Sequence, residues 1–213
     1  MNIDILRNEL IWLKSIGCSI EHKKGGIEVK SAYTTSTDFN FFIPINGEKQ
    51  ETIECYRVSE SMRDRIFWLK DMNIEKSYDI NYTYFKEREK KINTNYRIME
   101  VDFQIWKNND EFQREKEKFA RYFIVFVGNI EIGRFSTIEE NIVGIYDYEF
   151  EEKYRNKGFG SSVLNFICSK YDKMVFIQTW SENLAAKKCY EKAGFLEREK
   201  IYRYNCCTTL NQK

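Results

Sequence analysis

This chain of 213 residues has one histidine, His22, and one proline, Pro44. A lone histidine offers no ligand cluster, and none of the six cysteines (Cys18, Cys55, Cys168, Cys189, Cys206 and Cys207) forms a C-x-x-C pair, so no zinc or other metal site is expected. His22 sits beside turn lysines and reads as a surface residue. Charge lacks a surplus of either sign: 34 Lys+Arg against 33 Asp+Glu leave +1, which gives no general pull toward nucleic acid or an anionic membrane, and neither is an expected partner. No apolar window approaches the length of a membrane span, and Met1-Asn2-Ile3-Asp4 opens no charged segment followed by an apolar run. A cytoplasmic protein with reduced thiols is expected. A G-x-x-x-x-G-K-[ST] run is missing too, which argues against a nucleotide-phosphate enzyme.

Apolar residues make up 42% of the chain and aromatic residues 16%, enough for a substantial core. Residues 3 to 16 carry Ile3, Leu6, Leu10, Leu13 and Ile16 at helical spacing, with Gly17 placed to stop the helix. Cys18–His22 and Ile27–Lys30 flank Lys23-Lys24-Gly25-Gly26 and read as a hairpin. Phe39–Ile43 reads as a strand ended by Pro44. Ser59–Met72 is predicted helical, with Met62, Ile66 and Leu69 on one face, and with Phe67 and Trp68 as packing residues. The charged run Lys86–Lys91 has no apolar face and marks a boundary, giving an N-terminal α+β domain over 1–94 and a second domain over 95–213. Beyond it Asn95–Phe103 is a predicted strand and Glu111–Arg121 a charged helix. Tyr122–Val127 and Ile130–Phe135 are strands joined by the tight turn Gly128-Asn129.

The most specific signal lies between the predicted strand Ile142–Phe150 and an apolar-periodic run beginning near Phe159. Gly158 and Gly160 fall at this strand-to-helix junction, where backbone can approach a ligand closely and the first helical N–H groups lack partners. With the helix dipole and the cations Arg155 and Lys157, the turn is suited to a pyrophosphate.

The pattern Arg155-x-x-Gly158-x-Gly160 resembles the acetyl-CoA signature of the Gcn5-related N-acetyltransferases (GNAT). Asn183-Leu-Ala-Ala186-Lys-Lys-Cys-Tyr190-Glu-Lys-Ala-Gly194-Phe195 resembles that family's second signature, and the strand-like run Met174–Trp180 separates the two. The order of elements from about residue 122 to 204 is that of the family. The resemblance implies an α+β, mixed-sheet acyl-CoA N-acyltransferase fold, here with the additional small N-terminal domain, itself a candidate degenerate copy of the same fold that lacks a Gly-rich turn. It further implies acetyl-CoA as cofactor, held by the backbone of Tyr148, Glu149 and Phe150 in a gap between parallel strands. The amides from Arg155 through Asn156, Lys157, Gly158, Phe159 and Gly160 to Ser161 would take the pyrophosphate, and Asn183 would serve as both helix cap and cofactor contact.

Acetyl transfer to an amine needs a neutral nucleophile, stabilised charge on the thioester oxygen and a proton for the departing thiolate. The resemblance makes Tyr190 the proton donor; as a residue alone it also suits a core aromatic. Cys189 beside it is expected to point elsewhere. The family's general-base glutamate would fall near Gly144, so the base is left open. Asp147 and Glu149 are the nearest carboxylates, on one strand face unless a bulge intervenes, and each alone reads as an exposed strand residue before it reads as a catalytic one. Two further departures are a short segment before Tyr122, where helices usually close over the substrate, and one predicted strand, Leu196–Tyr204, after Phe195 where the family has two. The acidic cluster Asp147, Glu149, Glu151 and Glu152 favours a small cationic amine acceptor attacked directly in a ternary complex. A peptide or protein amine, or a non-catalytic acyl-CoA-binding module, are the alternatives, and a homodimer is left open.

Overall fold

The computed structural model describes residues 2–50, 52–83, 95–107 and 119–205. The first half contains α1 (Ile3–Ser15), β1 (Cys18–Lys23), β2 (Gly26–Ser31), β3 (Phe41–Pro44), β4 (Cys55–Ser59), α2 (Glu60–Arg63), a 3-10 turn (Phe67–Asp71) and β5 (Asn73–Thr83). The second contains β6 (Arg97–Val101), α3 (Phe103–Trp106), β7 (Ala120–Val127), β8 (Ile130–Glu139), β9 (Val143–Phe150), α4 (Phe159–Lys170), β10 (Val175–Trp180), α5 (Leu184–Lys192) and β11 (Leu196–Asn205). The predicted charged run Lys86–Lys91 and residues 111–118 of the predicted helix lie outside the described residues; its last two positions, Ala120 and Arg121, already belong to β7.

The eleven strands of the described residues form one mixed sheet in the order β1-β2-β3-β4-β11-β5-β10-β9-β8-β7-β6. Exchanging β1 with β7, β2 with β8, β3 with β9, β4 with β10 and β5 with β11 reproduces this order, β6 alone lacking a counterpart. The strand directions obey the same exchange. The pairs β3–β4 and β9–β10 are parallel, and every other neighbouring pair is antiparallel. The sheet therefore runs through the boundary at residue 94: β5 of the first half is inserted between β10 and β11 of the second, and β11 in turn lies against β4. The second strand missing after Phe195 is supplied by β5.

One predicted helix is corrected. Ser59–Met72 is instead the end of a strand, one helical turn and a 3-10 turn. All five residues of Cys55–Ser59 are buried, and β4 is laddered on β11, so Ser59 is taken into the sheet. Ile66 then leaves helical geometry at φ −111° and ψ 84°, and the two turns cannot merge. Propensity for helix loses here to burial in a strand.

Helices cover both faces of the sheet. α1 opens at Asn2, whose side chain accepts from the Asp4 amide at 2.8 Å, and lays Ile5 on Ile80, Ile138, Phe176 and Ile201. On the opposite face α4 and α5 pack Val163, Leu164, Ile167 and Tyr190 over Val143, Ile145, Val175 and Ile177. The alternation of Val143 and Ile145 with Tyr146 places β9 between these two layers.

Because β5 joins both halves, they are expected to unfold together. Ile80→Ala, at a β5 position with no exposed surface, should cost about 2–4 kcal/mol. Urea unfolding followed by circular dichroism and by tryptophan fluorescence should give one coincident transition, displaced as a whole; two transitions with only one displaced would contradict the shared sheet.

Candidate active site

The parallel pairing of β9 with β10 ends at Ile145–Ile177, although both strands continue. β10 stays on β5 as far as Trp180–Tyr78, while β9 stays on β8 as far as Phe150–Gly133. The strands part because each is held by its other neighbour. Beyond Ile145 the side of β9 facing β10 offers main-chain groups with no ladder partner from β10, suited to an extended, amide-bearing ligand.

A cavity of about 510 Å³ opens from this gap on the α4 and α5 side. Tyr148, Glu149, Phe150, Arg155, Asn156, Gly158, Gly160, Ser161, Asn183 and Tyr190 line it, all of them predicted site residues. Lys157 and Phe159 do not: Lys157 lies over the Tyr154 ring at 5.4 Å, and Phe159 meets the edges of Tyr96 and Tyr154. Two lysines that the motifs did not single out, Lys188 and Lys192, line it from α5. They stand four apart and in helical phase with Ala185, which was the available signal.

The turn itself is set by two glycines with different duties. Gly158 caps α4 at φ +83°, and a Cβ added there would meet nothing within 4 Å, so the position is open toward the cavity. The first helical bond is Ser162 N–H to the Gly158 carbonyl at 3.2 Å, leaving the amides of Phe159 to Ser161 ahead of the ladder. Gly160 instead permits close packing: a Cβ there would lie 2.9 Å from Cys189 Sγ. Cys189 thus faces α4 and the cavity rather than elsewhere, and burial pushes its thiol up to about 11, which keeps it protonated. The Arg155 Nε–H donates to the Phe150 carbonyl at 2.8 Å, and the Asn183 side chain accepts from the Ala186 amide at 3.1 Å. Donor amides, three cations and an open gap fit a diphosphate continued by an acyl-bearing arm.

On the α1 side a second cavity, of about 460 Å³, meets the first at Tyr148, Asn183 and Tyr190. Tyr190 is therefore common to both. Burial, followed by the neighbouring Cys189, holds its phenol well above the ordinary value, partly countered by a hydrogen bond with Thr179. It stays a proton donor at any physiological pH.

A bulge separates the two predicted carboxylates. Ser136 pairs with Tyr146 and Arg134 with Glu149, so Asp147 and Tyr148 together oppose Phe135. Asp147 takes the left-handed conformation at φ +53° and enters the second cavity. There its Oδ2 accepts from Trp12 Nε1–H at 3.3 Å and from the Ser136 hydroxyl at 3.0 Å. Glu149 lines the first cavity instead, 3.8 Å from Arg134. The shared face expected from simple alternation is lost.

The absent glutamate also has a structural reason. A Cβ on Gly144 would fall 2.3 Å from Asn8 Oδ1, because α1 lies across β9 at this point. The Asn8 amide donates to the carbonyls of Ile138 and Ile142, and its Oδ1 accepts from the Tyr146 hydroxyl at 2.8 Å. Beside it Glu9, 4% exposed, lines the second cavity and pairs with Arg57 at 2.6 Å. Sequence reasoning missed both. Glu9 interrupts the apolar stripe of Ile5 and Leu13, and Arg57 stands inside the buried strand Cys55–Ser59; a charge in such a stripe was the readable sign.

Residues 84–195, more than half of the chain, match the model of the acetyltransferase (GNAT) family. The chain belongs to that family and is an acyltransferase, of a kind that takes its acyl group from a coenzyme A thioester. No curated protein matches it. Its fold is similar to that of a GCN5-related N-acetyltransferase from Kribbella flavida, with a TM-score of 0.66 at 6% identity over 95% of this chain and 94% of that one. An acetyltransferase from the GNAT family of Colwellia psychrerythraea gives 0.53 at 12% identity, over 96% and 74%. A GCN5-related N-acetyltransferase-like protein from Streptococcus suis gives 0.53 at 10% identity, over 95% and 96%. At these identities the likeness is one of fold, and it extends over both halves of the chain.

The two glycines should fail differently. Gly160→Ala should destabilise by about 1–3 kcal/mol through overpacking on Cys189, and most of this should return in the Gly160→Ala/Cys189→Ala double variant. Gly158→Ala should cost about 1–2 kcal/mol from its backbone angle alone, regardless of residue 189. Thermal melts of Gly160→Ala and Gly158→Ala, each in the wild-type and the Cys189→Ala background, decide; equal losses from Gly160→Ala in both backgrounds would remove the packing explanation.

Proposed function

We propose that the protein transfers the acetyl group of acetyl-CoA to the primary amine of a small cationic molecule, by direct attack in a ternary complex. The observation that carries this is the meeting of two cavities at Tyr190, one lined by amides and cations, the other by the carboxylates Glu9, Asp38 and Asp147. Arg155, Lys188, Lys192 and the amides ahead of α4 would hold the diphosphate, and the gap beyond Ile145 the acyl-bearing arm. The donor, when bound, supplies an activated acetyl thioester.

The chain's own residues then have separable tasks. Asp147 holds the incoming ammonium and receives its proton directly or through water; a free alkylamine, with a pKa of about 10.4, needs that proton removed at neutral pH. Tyr190, fixed at the junction of the cavities, donates to the departing sulfur. α1 and the first strands exclude water from the acceptor side, a role the family's usual front helices cannot fill in so short a segment before β7. We further propose that residues 1–94 are a degenerate copy of the fold in 95–213, a reading supported by the exchange symmetry of the strand order. In that copy the described residues between β3 and β4 contain no helix, and Tyr56 and Trp68 pack edge-on.

Thiol release from acetyl-CoA, measured over a panel of primary amines, tests the reaction. Tyr190→Phe, which retains the ring, should lower kcat about a hundredfold or more with little change in the KM for acetyl-CoA. Because its phenol titrates well above 10, wild-type activity should rise with pH as the amine deprotonates and show no fall assignable to Tyr190 below pH 10. Asp147→Asn should raise the KM for the amine about tenfold while preserving the fold, since asparagine tolerates the left-handed backbone. Coenzyme binding without thiol release for any amine, and no effect of Tyr190→Phe, would instead indicate a non-catalytic binding module.

A further inference from the structure

Two opposite charges are buried in the wall of the acceptor cavity with much of their hydrogen-bonding capacity unused. Glu9 of α1 and Arg57 of β4 are 4% and 7% exposed, stand 2.6 Å apart and both line the cavity. The guanidinium lies over the rings of Phe41 and Tyr78, 5.1 Å and 4.9 Å from their centroids, which holds it in place. Its polar partners, Glu9 Oε1 and Gln178 Oε1 at 3.0 Å, both meet the same nitrogen, Nη2. Arg57 Nε is buried with no hydrogen-bond partner, and Nη1 has none among the described residues. The second oxygen of Glu9 and the side-chain amide nitrogen of Gln178 are likewise without a partner among the described residues. A guanidinium carries five N–H donors, and the cost of taking an ion pair out of water is recovered only when further hydrogen bonds satisfy both ions. As it stands the pair is a costly way to tie α1 to β4; a bound group that completed its hydrogen bonds would remove the deficit.

The pair lies close to the reacting centre. Gln178 follows Ile177, the last residue of β10 that pairs with β9, and so stands where the gap begins. The next residue, Thr179, points to the opposite face, where it shares a hydrogen bond with Tyr190. Consecutive residues of β10 thus reach the buried ion pair on one face of the seam and the proposed proton donor on the other. An acceptor whose amine meets the thioester beside Tyr190 would have its other end within reach of Gln178, Arg57 and Glu9. Donors from Arg57 and Gln178 stand there beside an acceptor oxygen of Glu9, and the two charges of the pair cancel. A carboxylate on the ligand would oppose Glu9, and a second ammonium would oppose Arg57. A neutral group that both accepts and donates meets neither penalty.

From the incompletely bonded Glu9–Arg57 pair beside Gln178, we infer that the acceptor is an amine carrying, a short spacer from its nitrogen, a neutral hydroxyl or carboxamide that binds there. The oxygen of that group accepts from Arg57 and Gln178, and its O–H or N–H donates to Glu9. The inference rests on the acetyltransferase reading above and names its substrate class. The transfer itself is unchanged: the amine nitrogen bonds to the acetyl carbon, the carbon–sulfur bond breaks, the amine proton goes to Asp147 or water, and Tyr190 protonates the sulfur.

Steady-state kinetics on the full chain, with 3-amino-1-propanol, β-alaninamide, butylamine, β-alanine and 1,3-diaminopropane, test it. The alcohol or the amide, or both, should exceed the other three in kcat/KM by about tenfold or more, because a site built to hydrogen-bond a substrate group rejects the analogue lacking it. Which of the two leads tells which group fills the site. Glu9→Leu/Arg57→Met replaces both ions by apolar residues, a change that buried pairs tolerate. It should bring the ratio of the better polar amine to butylamine toward one while acetyl-CoA binding by calorimetry is unchanged. A pair that only ties α1 to β4 would leave that ratio at its wild-type value, which would overturn the inference. Should the double variant not fold, Gln178→Met serves, and should lower the same ratio by about threefold or more; an unchanged ratio would count against the site. Butylamine turning over as well as the alcohol and the amide, or a preference for β-alanine or the diamine, would overturn the neutral group and leave acetyl transfer standing. Coenzyme binding with no thiol release from any amine would overturn the acetyltransferase reading itself.

Discussion

The insertion of β5 between β10 and β11 is the constraint on which the rest depends. It gives β10 a full-length partner on the side away from β9, so that β10 runs straight to Trp180 while β9 follows β8. The gap that opens after Ile145 is thus a consequence of strand exchange between the halves of one chain. Unpaired main chain in a protein interior is costly unless it finds partners. Here the gap lies open to two cavities, and those groups can serve a ligand. The same exchange brings α1 and β4 against the second half, and with them Glu9, Trp12 and Arg57.

A second constraint acts within β9. One extra residue at Asp147 and Tyr148 turns a uniform strand into two outlooks, with Asp147 on the α1 side and Tyr148 reaching across to donate its hydroxyl to the Gly160 carbonyl. The left-handed backbone at Asp147 costs about 1 kcal/mol for a residue other than glycine. Hydrogen bonds from Trp12 and Ser136 offset that cost and fix the carboxylate where an ammonium would arrive. Local strain is exchanged for position, an arrangement expected at a site of chemistry rather than at a plain strand.

Much of the second half was legible in the sequence because its signals are local. The glycine turn, the capped helix at Asn183 and the hairpin at Gly128-Asn129 each depend on residues a few positions apart, and all three stand where they were expected. The first half was less legible. Ser59–Met72 carries apolar residues at helical spacing, yet Cys55–Ser59 is drawn into the sheet by β11, some 140 positions away in the chain. β5 went unrecognised although Ile74, Tyr78 and Ile80 alternate with polar neighbours; no hairpin turn announces it, since both of its partners lie in the other half. In the site, the motif residues that line the first cavity were readable, whereas Glu9, Arg57, Trp12, Lys188 and Lys192 were not singled out. They become site residues only once α1 crosses β9 and α5 turns one face to the gap.

The central claim is that cofactor and acceptor approach one seam from opposite faces of the sheet and meet at Tyr190. A crystal structure with coenzyme A tests it most directly. The account predicts the pantetheine arm between β9 and β10 beyond Ile145, the diphosphate on the amides of Phe159 to Ser161, and the thiol beside the Tyr190 hydroxyl, with the Trp12 side of the seam still open. Coenzyme bound elsewhere, or a thiol directed away from Tyr190 with β9 and β10 closed on each other, would contradict it.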